Sequence, residues 1–546
     1  MRPPRDALLV LALAGLLLLP GLGAVALTDR DEGANAEAAR EMLEQRSWIS
    51  PTLGGAPRFA KPAFVYWLMA GAYAVLGVGE AAARLPSAVA ALALVLVQHA
   101  FARWALGPRV AWRAALVLLL SVEYVAIGRM ALTDANLALW TTVSAYGFLR
   151  GWLGAPPRGR WYALAWIASA LAVLTKGPVG LLVPLGGILA YLALAGGLRQ
   201  AWREAWPLRG LLLFLLVAGP WYLAMFWLHG WDYAARARGE TIGRVLRPVT
   251  GPGGTALFYV PVLLLGFFPW SAFLPEAVVA GLRHARARAR RSRGDAVAVF
   301  AAAWLIVGLV LFSLAQTRLP HYVLPLFPAA ALLVATSWPA SPSRLARGLL
   351  AGTAIVLAAL LAVAWLGPAE MVRLLAPAYP AAAGTALPAT APVVAALVAG
   401  AAAAVLLVRD GGRLFTVLAA LAALVLVIGF QATLPAFSAA FVAPAGQLAS
   451  RAAGAARPCD TLLAIGPYRP SLLFYARRPV AFVGGKSARD DARLAELAAR
   501  PGRLFVIAPA SMTPALPHGV AALPVVEARG GYVLLASAAA RPGCSP

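Results

Sequence analysis

The chain divides into about fourteen apolar segments, and this repeat restricts its possible folds more than any other feature. The segments lie near residues 7–27, 62–79, 85–105, 110–130, 134–153, 161–175, 178–197, 209–229, 256–280, 296–315, 320–337, 346–367, 389–408 and 414–434. Most approach the ~20 residues that a helix needs to cross a bilayer. With 61% hydrophobic and only 13% charged residues, a water-soluble fold could not bury the apolar surface. The sequence therefore predicts a polytopic α-helical membrane protein.

The charged residues predict how these segments are oriented. The formal net charge is +25, but the arginines cluster in short loops between apolar segments, as positive charge does on the cytoplasmic side of a membrane. No nucleic-acid partner is indicated. The arginine clusters all become cytoplasmic if residues 62–79 lie in the interface, which suits Tyr66, Trp67 and Tyr73. We therefore expect about thirteen transmembrane helices, a cytoplasmic N-terminus and interfacial helices in the first periplasmic loop.

The composition changes after about residue 446, where short strand-like runs replace the long apolar segments. The runs "TLLAIGPY", "PVAFVGG", "RLFVIAPA" and "GYVLLAS" alternate with the helix-like "SARDDARLAELAAR". Such alternation is typical of an α/β domain. We expect a transmembrane domain over residues 1–440 and a small C-terminal periplasmic α/β domain over residues 447–546. Cys459 and Cys544 flank the latter, and the sequence is compatible both with a disulfide between them and with two free thiols.

The ionisable residues other than most arginines collect at the face predicted to lie outside. The first outside loop carries Asp31, Glu32 and Lys61, and the later ones carry Asp134, Lys176, Glu240, Arg244, Arg318, His321 and Tyr322. Ionisable residues at membrane depth are costly and indicate function. A carboxylate can accept a proton from a hydroxyl nucleophile, and several cations can bind a phosphate. This combination predicts an enzyme that acts on a lipid phosphate presented from the bilayer.

Several of these residues could instead have purely structural roles. Asp134 can cap the helix that follows it. Lys176 and Arg318 can extend along apolar surface to reach the interface. The further acids of the first loop are expected to cover an interfacial helix; they are Glu37, Glu41 and Glu44.

Seven segments together resemble the ArnT-like membrane glycosyltransferases, a family related to the protein O-mannosyltransferases. They are "DEGANAEAAREML", "RFAKPAFVYWL", "EAAARLPSAVAAL", "GRMALTDANLALW", "LTKGPVGLLVPL", "GFFPWSAFLP" and "FSLAQTRLPHYVLPLFPAAALL". The resemblance implies the GT-C fold and a glycosyltransferase that uses a polyprenyl-phosphate sugar donor. It implies transfer to a lipid A-like glycolipid or another envelope acceptor, on the periplasmic face of the bacterial inner membrane.

The matched motifs also imply roles for individual residues. The expected catalytic residues are Asp31, as the general base, and Asp134. The expected phosphate-binding residues are Lys61, Lys176, Arg244, Arg318 and Tyr322. The expected supporting residues are Glu32, Glu240 and His321.

The chain departs from the family pattern around the expected donor and acceptor site. Ala34 and Asn35 stand where the family has Arg and Tyr, Ala60 replaces an acid, and Thr241 replaces a histidine. Because the last two changes remove ligands for a bound zinc, we predict no zinc and no cofactor, and leave a divalent metal requirement open. The sequence does not name the sugar or the acceptor.

Other functions remain as alternatives. A transporter or flippase of a lipid-linked substrate would place its charges near the bilayer midplane and break helices in matching halves. A protein O-glycosyltransferase of the same fold would differ only in the acceptor. A non-catalytic scaffold would leave the C-terminal domain as the working part.

Overall fold

The computed structural model describes residues 5–205, 207–243, 246, 255, 257–286, 292–366, 388–484, 488–516 and 518–538. Up to the C-terminal sheet, the α-helices are α1 (Arg5–Leu18), α2 (Asp31–Gln45), α3 (Phe64–Leu76), α4 (Glu80–Leu106), α5 (Pro108–Leu119), α6 (Val122–Gly128), α7 (Asp134–Leu153), α8 (Gly159–Lys176), α9 (Val179–Ala195), α10 (Leu198–Glu204), α11 (Pro207–Arg238), α12 (Tyr259–Gly266), α13 (Leu274–Arg286), α14 (Arg293–Leu314), α15 (Phe327–Thr336), α16 (Arg344–Leu366), α17 (Ala391–Leu407), α18 (Gly411–Ile428), α19 (Leu434–Phe437) and α20 (Ala443–Ala455). Short 3₁₀ turns (Trp270–Phe273, Pro320–Leu326) and π turns (Gly239–Gly243, Gly429–Thr433, Ser438–Val442) interrupt the series.

The apolar segments form these helices because their side chains are hydrophobic around most of the helix surface. In α14, for example, residues on every side are buried among α4, α9, α13 and α15, as is typical of a helix in the interior of a bundle. A capping box starts this helix: the Ser292 side chain accepts from the Asp295 backbone, and Asp295 accepts from the Ser292 backbone. The packed core of the membrane part is therefore specified largely by uniform hydrophobicity, and the start of α14 by its capping box.

Within the described ranges, five helices are long and apolar enough to cross a membrane, and seven spans result if each bent helix pair counts as one. The bent pairs are α5 with α6 and α12 with the helix after it, with angles of 66° and 117°. Shorter apolar helices such as α9 and α17 accompany them. The protein is thus a multi-pass membrane protein, and the finer count of thirteen spans stays a prediction.

Helices α2 and α3 form a layer against the membrane helices. With 13 residues, α3 is shorter than the ~20 residues of a spanning helix, which fits the interfacial position expected for residues 62–79. Two of the acids expected to cover an interfacial helix, Glu37 and Glu41, are buried and hydrogen-bonded. Glu37 is 1% exposed and pairs with Arg40 at 2.7 Å. Glu41 is 5% exposed and accepts from the Thr52 hydroxyl at 2.5 Å and the Gly54 backbone at 2.7 Å.

The C-terminal part of the chain folds around a five-stranded sheet. Strands β1 (Thr52–Leu53) and β2 (Ala56–Pro57) form a separate hairpin in the first loop. The sheet consists of β3 (Thr461–Ile465), β4 (Ala481–Val483), β5 (Leu504–Pro509), β6 (Val525–Arg529) and β7 (Tyr532–Ala536), in the order β4-β3-β5-β7-β6. Strand β3 is parallel to β4 and β5, and β7 is antiparallel to β5 and β6. Helices α21 (Ser471–Ala476), α22 (Ala488–Ala498) and α23 (His518–Ala521) complete it, with a 3₁₀ turn at Ala510–Ala515.

The four predicted strand runs correspond to β3, β4, β5 and β7, and the predicted helix corresponds to α22. The expected boundary between residues 440 and 447 falls inside a helical run from Gly411 to Ala455, so a continuous helix connects the membrane part to the sheet. Cys459 is disulfide-bonded; Cys544, the other half of the predicted pair, lies outside the described residues.

Candidate active site

Asp31 is the first residue of α2, directly after the chain leaves α1 and its following turns. A helix N-terminus favours a negative charge there. Burial alone would raise the pKa of the Asp31 carboxyl, but Lys61, His321 when it is protonated, and Lys176, with a smaller contribution from Arg58, outweigh burial and hold the pKa below its usual value. The structure thus brings the first-loop acid into the field of cations from three separate parts of the chain.

Asp134 is the first residue of α7 and is 2% exposed. Its Oδ1 lies 2.5 Å from the Nζ of Lys176, the last residue of α8. Its Oδ2 lies 3.9 Å from the Nε2 of His321. Asp134 stands one residue after the N-cap residue Thr133. In the described residues its carboxylate accepts from the Thr133 hydroxyl at 3.4 Å and from Lys176, which favours the ion pair over the capping role left open for this residue.

The two aromatic residues of the last motif stand on the 3₁₀ turn Pro320–Leu326. The Nζ of Lys176 lies 4.3 Å from the centre of the Tyr322 ring, a distance at which a cation is attracted to the ring face. His321 and Tyr322 pack edge to face with their ring centres 5.1 Å apart. Lys176 is therefore held between a carboxylate and an aromatic ring rather than extended toward the interface.

Lys61 follows the β1–β2 hairpin and is half-buried. It lies within electrostatic range of both Asp31 and Asp134, so its charge acts between the two carboxylates. Arg318 and Glu240, two further predicted site residues, lie on other segments. Arg318 donates from Nη2 to the Ser313 carbonyl at 2.8 Å, next to the C-terminus of α14. Glu240 is half-buried on the π turn Gly239–Gly243, and Arg244 lies outside the described residues.

Glu32 holds α2 in place, since both of its oxygens are occupied. Its Oε1 accepts from Arg84 Nε at 2.7 Å and from the Ala131 backbone at 2.9 Å. Its Oε2 accepts from the backbone and hydroxyl of Thr28, each at 2.8 Å, and from Arg84 Nη2 at 3.1 Å. These bonds connect α2 to α4 and to the segment that leads into Asp134. Glu32 thereby holds the start of α2, which carries Asp31, against the segment that leads to Asp134.

Arg58 joins the site although the sequence analysis did not select it. Its Nε donates to the Tyr66 hydroxyl at 3.1 Å and its Nη2 to the Asn35 amide oxygen at 3.5 Å. It also lies within electrostatic range of Asp31. Its position three residues before Lys61 was the available signal, but arginine is so abundant in this chain that one more in a loop does not stand out. Arg84 was missed for the same reason.

Within the described ranges, no group of three or more His, Cys, Asp or Glu side chains is placed to hold a metal ion. The absence of a zinc requirement stays a prediction.

Residues 26–234 match the family model described as dolichyl-phosphate-mannose-protein mannosyltransferase. The chain is 31% identical over 313 residues to an undecaprenyl phosphate-alpha-4-amino-4-deoxy-L-arabinose arabinosyl transferase from Edwardsiella ictaluri, covering 56% of this chain and 54% of that protein. The chain thus matches little more than half of this relative's length.

Two solved structures place the fold. The crystal structure of ArnT from Cupriavidus metallidurans bound to undecaprenyl phosphate superposes with a TM-score of 0.77 at 23% identity, over 97% of both chains. The oligosaccharyltransferase of Archaeoglobus fulgidus matches with a TM-score of 0.52 at 12% identity, over 93% of this chain and 69% of that one. The chain therefore has the fold of the GT-C membrane glycosyltransferases.

Within that class it is similar to the ArnT-like proteins and to the related protein O-mannosyltransferases. The resemblance that the sequence motifs indicate is thereby confirmed.

Proposed function

We propose that the protein is a polyprenyl-phosphate-dependent glycosyltransferase of the inner membrane, acting on its periplasmic face. The observation that supports this most directly is the cluster of Asp31 and Asp134 with Lys61, Lys176 and His321. Two acids among several cations at helix ends suit a donor whose leaving group is a lipid phosphate. The relatives' names, which specify an undecaprenyl phosphate-linked sugar, support the same donor class.

The proposed reaction is a direct displacement at the anomeric carbon. The acceptor oxygen forms a bond to that carbon while the bond from carbon to phosphate oxygen breaks, which inverts the anomeric configuration. The electron pair of the breaking bond stays on the polyprenyl phosphate. When the acceptor is a hydroxyl, its proton passes to Asp31. Because its pKa is low, the Asp31 carboxylate is ionised at neutral pH and is a weak base, so it acts largely by orienting the hydroxyl and accepting its proton late in the transition state.

The cations of the site have a separate task in this proposal. Lys61 and Lys176 would neutralise the charge that develops on the leaving phosphate, with Arg318 and Arg244 as further phosphate ligands and Tyr322 as an orienting residue. Asp134 would position Lys176 and the acceptor, and His321, Glu240 and Glu32 would support these groups. Fixed charges that need no reorganisation are the most effective form of such stabilisation.

The remaining parts of the proposal concern topology and acceptor. They comprise about thirteen spans, a cytoplasmic N-terminus, a transmembrane domain over residues 1–440 and a periplasmic domain over residues 447–546. The proposed acceptor is a lipid A-like glycolipid or another envelope molecule. A protein O-glycosyltransferase would use the same donor chemistry, so only the acceptor distinguishes it.

The test is a transfer assay with purified protein in lipid nanodiscs. Polyprenyl phosphates carrying different pentoses and hexoses serve as donors, lipid A and peptides serve as acceptors, and released polyprenyl phosphate is measured with the mass of the product. We expect transfer by the wild type and a loss of about 100-fold or more in Asp31→Asn, the usual range for a general base. The matched control is Asp232→Asn, because Asp232 is 59% exposed and pairs with Arg236 one helical turn away. Full activity of folded Asp31→Asn would contradict its role, and no transfer from any donor would contradict the function.

A further inference from the structure

Asp29, two residues before the candidate base, is held by the C-terminal sheet domain. Its Oδ2 accepts from Arg469 Nη1 at 2.8 Å. Its Oδ1 accepts from the Ser471 hydroxyl at 2.5 Å and from the Ser471 backbone at 3.2 Å. Arg469 and Ser471 belong to the loop between β3 and α21 and to the start of α21. A carboxylate with three donors is strongly fixed.

The residue between Asp29 and Asp31 has an unusual backbone conformation. Arg30 has φ 67° and ψ −87°, and a side-chain-bearing residue rarely adopts a positive φ because its Cβ collides with the neighbouring backbone. Its side chain is exposed and so does not itself hold this conformation. Hydrogen bonds on either side of Arg30 restrain it: Asp29 is fixed to the C-terminal domain, and Glu32, two residues after Arg30, is fixed to Arg84, Thr28 and Ala131.

Other contacts continue the same seam. The Tyr475 hydroxyl accepts from the Leu27 backbone at 2.8 Å and donates to Glu80 at 3.0 Å. Gly33 packs so closely on α21 that a Cβ there would lie 2.6 Å from the Ser471 backbone nitrogen. The seam therefore reaches along the first turn of α2, on both sides of Asp31.

We propose that the C-terminal domain positions the candidate general base: Arg469 and Ser471, through Asp29, hold the Arg30 turn that directs Asp31 into the site. The inference rests on the proposed function for the role of Asp31, but it concerns different residues. Arg469, Ser471 and Asp29 act as positioning residues and do not contact the substrate. Without them the turn relaxes toward an ordinary backbone conformation and Asp31 moves relative to Lys61 and Lys176, whose own supports are unchanged.

The test compares Arg469→Ala, Asp29→Asn and their double variant with Arg493→Ala, an exposed arginine on α22 of the same domain whose partner is Glu496. We expect kcat to fall about 10-fold to 100-fold, as small displacements of catalytic groups do, while KM for the lipid donor changes less than threefold. The double variant should be no slower than the slower single variant, and Arg469→Lys should recover part of the rate. Equal rates for Arg469→Ala and Arg493→Ala would overturn the proposal, as would a parallel loss in kcat, donor binding and thermal stability.

A second measurement does not depend on activity. Hydrogen exchange of the backbone amides of residues 28–33 should be faster in Arg469→Ala than in Arg493→Ala, because the released turn opens more often. Unchanged exchange would overturn the proposal even if the transfer assay fails for the wild type. An inactive wild type with faster exchange in Arg469→Ala would instead reject the glycosyltransferase function and leave the positioning of residue 31 supported.

Discussion

The ammonium group of Lys176 lies 2.5 Å from Oδ1 of Asp134, and this pair joins the end of α8 to the start of α7. Their side chains are 9% and 2% exposed, so removing either partner leaves a buried charge without its direct ion-pair partner. We expect Asp134→Asn and Lys176→Met each to lower the free energy of unfolding by about 3–5 kcal/mol and to abolish transfer. Together, the two changes should restore much of the stability but not the activity, because the phosphate then lacks its cation. Thermal unfolding followed by tryptophan fluorescence, beside the transfer assay, measures both.

The ion pair of Arg158 with Glu204 provides the control for this prediction. Its atoms are 2.6 Å apart, but its side chains are 33% and 35% exposed, where an ion pair contributes under about 1 kcal/mol. Glu204→Gln should therefore change stability little and activity not at all. An Asp134→Asn variant as mild as Glu204→Gln would contradict the importance of the buried pair.

The field of cations around Asp31 predicts a specific pH dependence. Burial would raise the pKa of Asp31, but Lys61 and the other cations lower it overall, so the carboxylate is ionised across the physiological range. We expect the transfer rate to hold as pH falls to about 4, near the ordinary pKa of an aspartate, and to decline only below it. Lys61→Met removes the largest opposing charge and should move this decline to higher pH. A pH–rate profile at saturating donor measures the shift.

The same shift affects stability in a defined direction. Since the folded-state pKa of Asp31 lies below its unfolded-state value, ionisation of Asp31 stabilises the folded protein above about pH 4. That contribution is lost as pH falls through the lower folded-state pKa. Arg493→Met is the control for removing a distant positive charge. If the fall in transfer rate at low pH occurs at the same pH in Lys61→Met as in the wild type, Lys61 does not lower the pKa of Asp31.

Arg58 offers a cation that makes only hydrogen bonds to neutral oxygens, those of Tyr66 and Asn35, within the part of the chain that the structure describes. Because no carboxylate neutralises it by direct contact there, we expect Arg58 to assist in binding the donor phosphate. Arg58→Ala should raise KM for the donor about 10-fold and reduce kcat less. Arg236→Ala is the matched control. The Arg236 guanidinium lies 5.6 Å from the ring of Phe59, the residue after Arg58, but it pairs with Asp232. Equal KM values in the two variants would exclude this role for Arg58.

Structure that depends on neighbouring residues could be predicted from the sequence, whereas contacts between residues far apart in the chain could not. The membrane helices and most strands of the sheet are encoded locally, by runs of apolar residues. Strand β6 was missed because its residues are mostly exposed at the edge of the sheet, where hydrophobic patterning is weak. Helix α21 was missed because six residues following a proline carry little periodicity.

The candidate site likewise contains residues that could be predicted from the sequence and residues that could not. Asp31, Asp134, Lys61 and Lys176 were predictable because acids and lysines are scarce in this chain. The partners that orient them were not predictable, since they come from distant positions: Arg84 is 52 residues from Glu32, and Arg469 is 440 residues from Asp29. One long-range ion pair among many arginines has no local signature, and it appears only when the chain is folded.

Glu123 on α6 allows the enzyme and transporter alternatives to be separated. It is 9% exposed, and in the described residues neither of its carboxylate oxygens has a hydrogen-bond partner; it packs against Gly266 of α12. Ionisable groups inside transporters carry the substrate or ion pathway, whereas the proposed transfer chemistry does not use this residue. We expect Glu123→Gln to keep transfer activity within about twofold and to leave the thermal midpoint nearly unchanged, because the amide has about the same size and polarity as the buried carboxyl group that it replaces.

The Glu123→Gln variant is compared with Asp134→Asn, because Asp134 is a buried acid on α7, the helix that follows α6. As an enzyme, the protein should lose transfer in Asp134→Asn and retain it in Glu123→Gln, with both variants measured in the same nanodiscs. As a transporter, it should lose movement of a fluorescent lipid-linked sugar across liposome membranes in Glu123→Gln, and show no transfer of sugar to an acceptor in the wild type. Loss of sugar transfer in a stable Glu123→Gln variant would contradict the expectation that this carboxyl group takes no part in the reaction.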